Sequence, residues 1–330
     1  MTTHPTSTGT TTGTTTGTTT GVASTLPSTA PAPTRRTASR LMVFGAMAAT
    51  LVLWASAFVA IRHLGHDVPP GALSLGRLLV ASVALGFLVF RRKPTWPRRG
   101  DWGLLLLCGV AWFGIYNLAL NDAERRIDAG TAALLVQIGP IIVAVLATFF
   151  LGERMTPWLL VGMVVGFGGV AIIARGFSNG GTGDRVGVWL AVVAAVTYAI
   201  GVLAQKPLLR RLPGPEVTFL ACVIGVATLL PWTGELVDVV RDAEPSTLLW
   251  IAYLGIFPTA VAFSLWAFVL ARSDAGKLTL TTFLVPFIAT LIAWVLLAEV
   301  PPALTFLGGA LCITGVLFTR RKPRAATARS

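Results

Sequence analysis

The sequence predicts an all-α polytopic membrane protein, in which ten transmembrane helices form two inverted five-helix repeats. Three observations predict this fold class. Of the 330 residues, 54% are hydrophobic and 12% are charged, whereas a soluble domain carries roughly 25% charged residues. Ten apolar segments are long enough to cross a bilayer. A pattern of glycine, proline and charged residues occurs twice, 146 positions apart.

A crossing helix needs about 20 mostly apolar residues. In chain order, the segments that reach this length are 41–61, 71–90, 102–121, 129–151, 157–175, 186–205, 217–237, 248–270, 277–298 and 302–319. Charged and turn-forming residues separate them, for example His63 to Pro70, Arg91 to Pro94 and Gly176 to Gly183. We therefore place the first repeat at residues 41–176 and the second at 186–320.

The two repeats match without a gap. Asp128-Ala129-Gly130 corresponds to Asp274-Ala275-Gly276. The other matched pairs are Gly109 with Gly255, Arg126 with Arg272, Pro140 with Pro286, Glu153 with Glu299, Gly162 with Gly308 and Gly169 with Gly315. Because each copy holds five crossings, an odd number, the second copy is inverted relative to the first. Inverted repeats are typical of transporters that open to either side of the membrane.

Two tails flank the repeats. Residues 1–40 are rich in threonine and glycine, and Thr10 to Gly21 repeats these two residues almost without interruption. They contain no apolar segment of a signal peptide and cannot bury enough surface to fold. We predict that residues 1–40 form a disordered cytoplasmic tail and that residues 321–330 form a basic cytoplasmic tail.

The positions of lysine and arginine predict the orientation, because these residues are enriched in cytoplasmic loops. If the N-terminus is cytoplasmic, 19 of the 26 Lys and Arg residues lie inside and 6 lie outside, with Arg77 within a span. Both termini are therefore predicted to be cytoplasmic and the protein to lie in the cell membrane. The net charge of +12 is explained by topology, so we expect no nucleic-acid partner.

Pro140 and Pro286 lie near the middle of the fourth and ninth helices, at matched positions. Proline removes one helical hydrogen bond and frees a backbone carbonyl. Within the membrane, that carbonyl is tolerated where it faces protein or a watered cavity. Matched breaks in both repeats predict the central site of a transporter. Kinks that serve packing alone are the alternative.

Polar and aromatic residues gather at the depth of these prolines. The candidate substrate-binding residues are Trp54, Ser56, Trp112, Tyr116, Asn117, Gln137, Pro140, Thr197, Tyr198, Thr259, Ser264, Thr282 and Pro286. A serine or threonine in this set could instead bond back to its own helix, whereas the larger polar groups of Gln137, Asn117 and Tyr116 need partners in a dry interior. Together they predict a cavity that suits a small amphipathic solute.

Arg77 is the charged residue within a predicted span, about six residues into the second helix. One interpretation is that it reaches the outer interface, or pairs with a loop acid such as Asp122 or Asp128. The other is that it is a counter-charge for an anionic substrate. All fourteen acidic residues are predicted to lie at helix ends or in loops, so no carboxylate is expected at mid-membrane.

The fifth and tenth helices carry small residues at matched positions: Gly162, Gly166, Gly168 and Gly169 in the fifth, and Gly308, Gly309, Cys312 and Gly315 in the tenth. Small residues spaced in this way allow close helix contact. We expect these faces to pack within the subunit; a homodimer through them is the alternative.

Several other functions are disfavoured. His63, His66 and Asp67 share an outside loop but offer few metal ligands, and no ATP-binding motif occurs. The three cysteines, Cys108, Cys222 and Cys312, lie in apolar runs and indicate small buried side chains. With His4, His63 and His66 as the only histidines, intramembrane hydrolysis is not expected. We therefore expect no enzyme activity, no cofactor and no metal.

At these residues the chain resembles the EamA family of the drug/metabolite transporter superfamily. The resemblance covers residues 41 to about 320. The segments that carry it are Trp54 to Ile61, Gly76 to Leu79, Asp128 to Leu135 continuing through Pro140 to Leu151-Gly152-Glu153-Arg154, and Asp274 through Pro286 to Glu299. The resemblance implies ten helices with cytoplasmic termini, a central cavity lined by helices one to four and six to nine, and alternating access.

Members of this family move amino acids, other metabolites or drugs, often outward. We therefore expect a secondary transporter, an exporter of a small metabolite such as an amino acid. The alternative within transport is efflux of lipophilic drugs or cations, which predicts an embedded carboxylate. Small multidrug relatives carry a glutamate on the first helix, where this sequence has Trp54 and Ser56. A membrane scaffold or enzyme is the third reading, and it predicts an intramembrane nucleophile or metal set.

Overall fold

The chain divides into two units, Met1–Ala38 and Ser39–Ser330. In this computed structural model the residues described are Gly9, Gly13, 40–64, 67–127, 129–177, 184–297 and 301–321. The predicted tails at 1–40 and 321–330 therefore lie outside the described residues, apart from two glycines, Arg40 and Arg321. His4, His66, Asp128 and Glu299 lie outside them too.

Ten long helices follow one another in the second unit, and the described ranges contain no strand. They are α1 Arg40–Leu64, α2 Pro70–Phe90, α3 Arg99–Arg126, α4 Ala129–Val136 continued by Ile138–Phe150, α5 Pro157–Phe177, α6 Arg185–Leu208, α7 Gly214–Asp242, α8 Pro245–Leu270, α9 Ala275–Leu296 and α10 Ala303–Thr319.

Nine of these helices are long and apolar enough to cross a membrane, and α10 is a shorter apolar helix of 17 residues. At about 1.5 Å per residue, α10 lies at the lower limit for a membrane crossing. The predicted all-α polytopic membrane fold is confirmed.

Two helices continue well past their predicted ends. Residues 102–121 were expected for α3, which continues to Arg126, and residues 217–237 for α7, which continues to Asp242. The predicted ends mark where apolar residues stop. The helix itself needs only its backbone hydrogen bonds, which do not depend on side-chain polarity. The added turns of α3 carry Glu124, which lines the site.

The irregular turns of the helices occur at matched repeat positions. Wider π-helical turns occupy Gly109–Ile115 in α3 and Gly255–Val261 in α8, 146 positions apart. The helical run of α4 breaks at Gln137, three residues before Pro140. In α9, Leu280–Leu284 tightens into a 3₁₀ turn just before Pro286. The repeat in the sequence is thus also a repeat of local backbone shape.

The glycine faces of α5 and α10 pack on each other. A Cβ added at Gly166 would lie 2.5 Å from the Phe283 ring, and one at Gly169 would lie 2.5 Å from the Gly308 carbonyl oxygen. A Cβ at Gly315 would lie 2.5 Å from the Gly166 backbone nitrogen. Glycine is therefore required for this approach, and the predicted packing within the subunit is confirmed. A homodimer through these faces stays a prediction.

Large apolar side chains cover the outside of the bundle. Phe149, Val164, Trp189 and Val295 are among the exposed ones. Such a surface suits lipid rather than water. Inside, the indoles of Trp112 and Trp266 are among the largest fully buried side chains, and they pack beside the site described next.

Candidate functional site

A cavity of about 720 Å³ lies between the two repeats. Its lining comes mainly from α1 to α4 and α9, with single residues from α6 and α8 and three from α5. Of the described residues, none from α7 lines it, because α7 packs behind α2 and the π turn of α3. This differs from the resemblance, which implied helices one to four and six to nine.

The cavity extends from mid-bundle to one end. Exposed Arg62 and Arg125 line its mouth, together with Pro70 at the start of α2. We call the end where α1 finishes and α2 begins the open end. The opposite end, where α4 finishes and α9 begins, is the closed end. The described part of the cavity lining does not reach the closed end.

Aromatic rings form the deep part of the cavity. The Trp54 ring lies 5.3 Å from the Phe263 ring and 6.4 Å from the Trp112 ring, measured between centroids. The Trp112 and Tyr198 rings meet edge to face at 5.4 Å. Trp54 Nε1 is buried without a hydrogen-bond partner. The deep wall is thus largely apolar.

The carbonyl freed by Pro286 has a partner from the other repeat. Proline at 286 cannot donate to the carbonyl four residues earlier, which is that of Thr282. Gln137 Nε2 donates to this carbonyl oxygen at 2.7 Å. The amide of Gln137 on α4 and the Val285 backbone N–H together therefore satisfy this carbonyl of α9. The freed carbonyl predicted from the sequence is present, and it faces protein at the cavity wall.

The π turns of α3 and α8 are also satisfied by side chains. In α3, Asn117 Nδ2 donates to the Phe113 carbonyl at 2.9 Å and to the Trp112 carbonyl at 3.2 Å. In α8, Pro258 frees the Leu254 carbonyl, which accepts a hydrogen bond of 2.8 Å from the Thr259 hydroxyl. In both π turns, therefore, a polar side chain donates to a backbone carbonyl of its own helix and stabilises the irregular turn.

Arg77 lies inside the bundle and lines the cavity. Its Nε and Nη2 donate to Thr259 Oγ1 at 3.2 and 3.0 Å. The Asp122 carboxylate instead bonds Arg126 at 3.0 Å. The predicted reach to the outer interface and the predicted pairing with Asp122 are therefore wrong, because α8 supplies a closer acceptor. Pairing with Asp128 falls outside the described residues.

Glu124 and Asn121 line the cavity and were missed in the sequence. Glu124 Oε1 and Asn121 Oδ1 are buried without a hydrogen-bond partner. Asn117, Asn121 and Glu124 lie four and three residues apart, which places them on one face of α3. That spacing was the available signal. It was hidden because the predicted span ended at residue 121.

A model of the EamA-like transporter family matches residues 41–175 and 185–321. The chain belongs to the EamA-like transporter family. A probable terminal-alkyne amino-acid exporter of Streptantibioticus cattleyicolor is 38% identical over 277 residues, which cover 84% of this chain and 93% of that protein. A probable amino-acid metabolite efflux pump of Escherichia coli is 26% identical over 275 residues, covering 81% and 90%.

A crystal structure also resembles the EamA-like fold of this chain, with a TM-score of 0.69 at 20% sequence identity. The match covers 86% of this chain and 97% of that one. At this identity the likeness shows the fold alone. The family and the names of the relatives indicate a membrane exporter rather than an enzyme.

Nine of the thirteen candidate residues line the cavity of this EamA-like protein: Trp54, Trp112, Tyr116, Asn117, Gln137, Pro140, Tyr198, Thr282 and Pro286. The other four lie outside its described lining. The Ser56 hydroxyl lies 2.7 Å from the Tyr253 hydroxyl, and Thr259 contacts Arg77. Thr197 and Ser264 donate to backbone carbonyls of their own helices, as the alternative reading of serine and threonine anticipated.

The closed end is held by hydrogen bonds of Glu153 between the repeats and of Lys206 within the second repeat. Glu153, just after α4, accepts from the backbone N–H groups of Ala275 at 2.5 Å and Gly276 at 2.9 Å. These amides begin α9, where free N–H groups and the helix dipole favour a negative charge. Lys206 Nζ donates to the carbonyls of Leu270 and Ser273 at 2.6 and 2.5 Å. The end of α4 is thus fastened to the start of α9.

Proposed function

We propose that this protein is a secondary transporter that exports a small amphipathic metabolite, an amino acid or a close relative, by alternating access. The observation that carries the proposal is the cavity between the repeats, which reaches one end of the bundle while Glu153 fastens the other. Both mid-membrane prolines line this cavity. Matched helix breaks beside a central cavity are the arrangement expected when one repeat moves against the other.

The proposed orientation makes the open end the outer one. With cytoplasmic termini in the cell membrane, as the lysine and arginine positions predict, α1 runs outward and its last residue, Leu64, lies outside. The structure would then be an outward-facing state. An exporter must also form an inward-facing state in which the cavity takes up its solute from the cytoplasm.

The proposed substrate class draws on two supports. Two relatives carry names that refer to amino-acid export, and the cavity joins an aromatic deep part to a polar part near its mouth. A cavity of about 720 Å³ is within the usual range of small-molecule sites. We propose that Trp54, Trp112 and Tyr198 contact the apolar part of the solute.

Efflux of lipophilic cations is the second candidate, because one observation favours it. A carboxylate lining the cavity was expected for that function, and Glu124 is such a carboxylate. The buried guanidinium of Arg77 lines the same cavity and would repel a simple cation. A solute with both charges avoids this conflict.

Transport by the purified protein in proteoliposomes tests the proposal. We expect outward or exchange flux of one or more radiolabelled amino acids, measured with and without a proton gradient. Lipophilic cations and common drugs form the comparison panel. Flux of the cations with none of the amino acids would favour the second candidate, and flux of neither class would contradict both.

A further inference from the structure

A buried positive charge in the cavity lacks a carboxylate partner. Arg77 is 6% exposed, and its bonds go to the neutral Thr259 hydroxyl. That hydroxyl donates to the Leu254 carbonyl, so it can accept from Arg77 without conflict. Within the described ranges, no ion pair joins Arg77 to an acid. A buried charge is costly unless a partner compensates it, so a bound anionic group would stabilise this site.

An acceptor atom with a fixed direction lies beside this charge. The Ser74 hydroxyl donates to the Pro70 carbonyl at 2.7 Å, so it must accept from Asn121 Nδ2, which lies 2.9 Å away. This assignment leaves Asn121 Oδ1 as the free atom of the amide. Asn121 is 3% exposed, and its Oδ1 has no hydrogen-bond partner. It therefore offers a bound donor an acceptor that protein groups do not use.

Glu124 supplies a carboxyl group on the same wall. It lies three residues beyond Asn121 on α3, and Arg77 lies three residues beyond Ser74 on α2. Because the two helices run in opposite directions, the Asn121–Ser74 bond places Arg77 roughly one turn deeper and Glu124 roughly one turn nearer the mouth. Within the described ranges Arg77 and Glu124 form no ion pair with each other. A guanidinium and a carboxyl group thus line one path through the cavity.

We propose that Arg77, Asn121 and Glu124 form a zwitterion site, which recognises the α-carboxylate and α-ammonium groups of an amino acid. The Arg77 guanidinium binds the carboxylate, and Glu124 with Asn121 Oδ1 accepts from the ammonium. The side chain of the amino acid extends toward Trp54 and Trp112. This inference rests on the proposed function and names the two charged groups of the substrate that the cavity binds.

The charges of the site favour a zwitterion over solutes with one charge. A cation would leave the buried Arg77 charge uncompensated, and an anion would leave the buried Glu124 carboxyl without a hydrogen-bond donor. A zwitterion satisfies both groups. Specificity then comes from rejecting derivatives that lack one charge, because such derivatives leave a polar partner in the site unsatisfied.

Competition in proteoliposomes tests the zwitterion site. The probes are the L-amino acid with the highest flux, its N-acetyl derivative, which lacks the ammonium, and its methyl ester, which lacks the carboxylate. We expect each derivative to compete at least about tenfold more weakly than the parent, because charged hydrogen bonds are the stronger ones. We call the difference in competition between a derivative and its parent amino acid the competition gap. Glu124→Gln should narrow the competition gap for the N-acetyl derivative alone. Arg77→Gln should narrow the competition gap for the ester alone.

Matched controls separate recognition from folding. Asp122→Asn removes a carboxylate that lies two residues before Glu124 and is bonded to Arg126. Arg241→Gln removes an exposed guanidinium on α7. Both variants should keep the competition gaps of the unmodified protein. Arg77→Lys keeps the charge, so the ester gap should persist even if Arg77→Gln does not fold. If Glu124→Gln transports but the N-acetyl derivative still competes as weakly as in the unmodified protein, the zwitterion site is overturned. It is also overturned if the methyl ester competes as well as the parent amino acid in Arg77→Lys. Absence of amino-acid flux in the unmodified protein would instead overturn the proposed function.

Discussion

The two ends of the bundle use their polar groups differently. At the closed end, the Glu153 carboxylate accepts from two backbone amides, and the Lys206 ammonium donates to two backbone carbonyls. At the open end, Glu124 Oε1 and Asn121 Oδ1 have no partner. In a membrane interior, unpartnered polar groups raise the free energy of the state. The comparison indicates that Glu153 and Lys206 are satisfied by protein groups, whereas Glu124 and Asn121 leave unpartnered polar atoms on the cavity wall.

The repeat relates the two ends. Glu153 and Ala275-Gly276, which meet at the closed end, correspond in the sequence to Glu299 and Ala129-Gly130. Glu299 lies outside the described residues, so this correspondence is one of sequence.

The largest effect should be on reagent access, which tells which end is outside. Ser246, at the start of α8, lies exposed at the open end, and Lys93, between α2 and α3, lies exposed at the closed end. In a background without the three native cysteines, we expect Ser246→Cys to react with an impermeant thiol reagent on intact cells. Lys93→Cys should react only after the membrane is opened. The opposite pattern would make the closed end the outer one and reverse the proposed state.

The next largest effect concerns the hydrogen bonds between Glu153 and the start of α9. Glu153→Gln removes the charge and one acceptor oxygen, and charged hydrogen bonds contribute roughly 1.5–3 kcal/mol each. We therefore expect the balance of states to shift toward opening of the closed end by about tenfold or more, since about 1.4 kcal/mol corresponds to tenfold. The reporter is Ala144→Cys on α4, which is 1% exposed and lies against Gly276. Its labelling rate should rise.

Glu216→Gln is the matched control for Glu153→Gln. Glu216 accepts from the Thr95 backbone N–H at 3.0 Å, which joins α7 to the loop after α2 rather than α4 to α9. Its removal should leave the labelling of the Ala144→Cys reporter unchanged. Equal rates in both variants would mean that Glu153 does not hold the two repeats together.

The sequence predicts much of the fold because membrane crossing depends on local composition and length. The ten segments, the packing of Gly166 and Gly169 and the presence of a freed carbonyl at Pro286 all follow from short-range rules. The contacts between residues of different helices across the bundle do not follow from such rules. Arg77 meets Thr259, 182 positions away, because α8 widens into a π turn there, and no local pattern specifies that pairing.

The candidate site shows the same limit. Hydropathy ended α3 at residue 121, so Glu124 was placed at a helix end and its position on the cavity wall was missed. Gln137 was identified because a large polar group must find a partner in the membrane, but its partner, the Thr282 carbonyl, depends on how α4 and α9 meet. Which of the lining residues contact a substrate stays a prediction.

The smallest effect should be a coupling energy between Gln137 and Pro286, which lie in different repeats. Gln137→Leu removes the side-chain donor of the Thr282 carbonyl and leaves it only the Val285 backbone N–H, and we expect a loss of about 1 kcal/mol in the free energy of unfolding. Pro286→Ala restores a backbone N–H that can donate to Thr282 in the ordinary helical way. In that background Gln137→Leu should therefore cost less.

Thermal unfolding of the two single variants and the double variant measures the difference. Pro140→Ala, the matched proline, is the control, because it gives the Thr282 carbonyl no new N–H donor and should not lessen the cost of Gln137→Leu. If the two losses simply add in the Pro286→Ala background, Gln137 does not act through the proline break, and its role reverts to the solute contact predicted from the sequence.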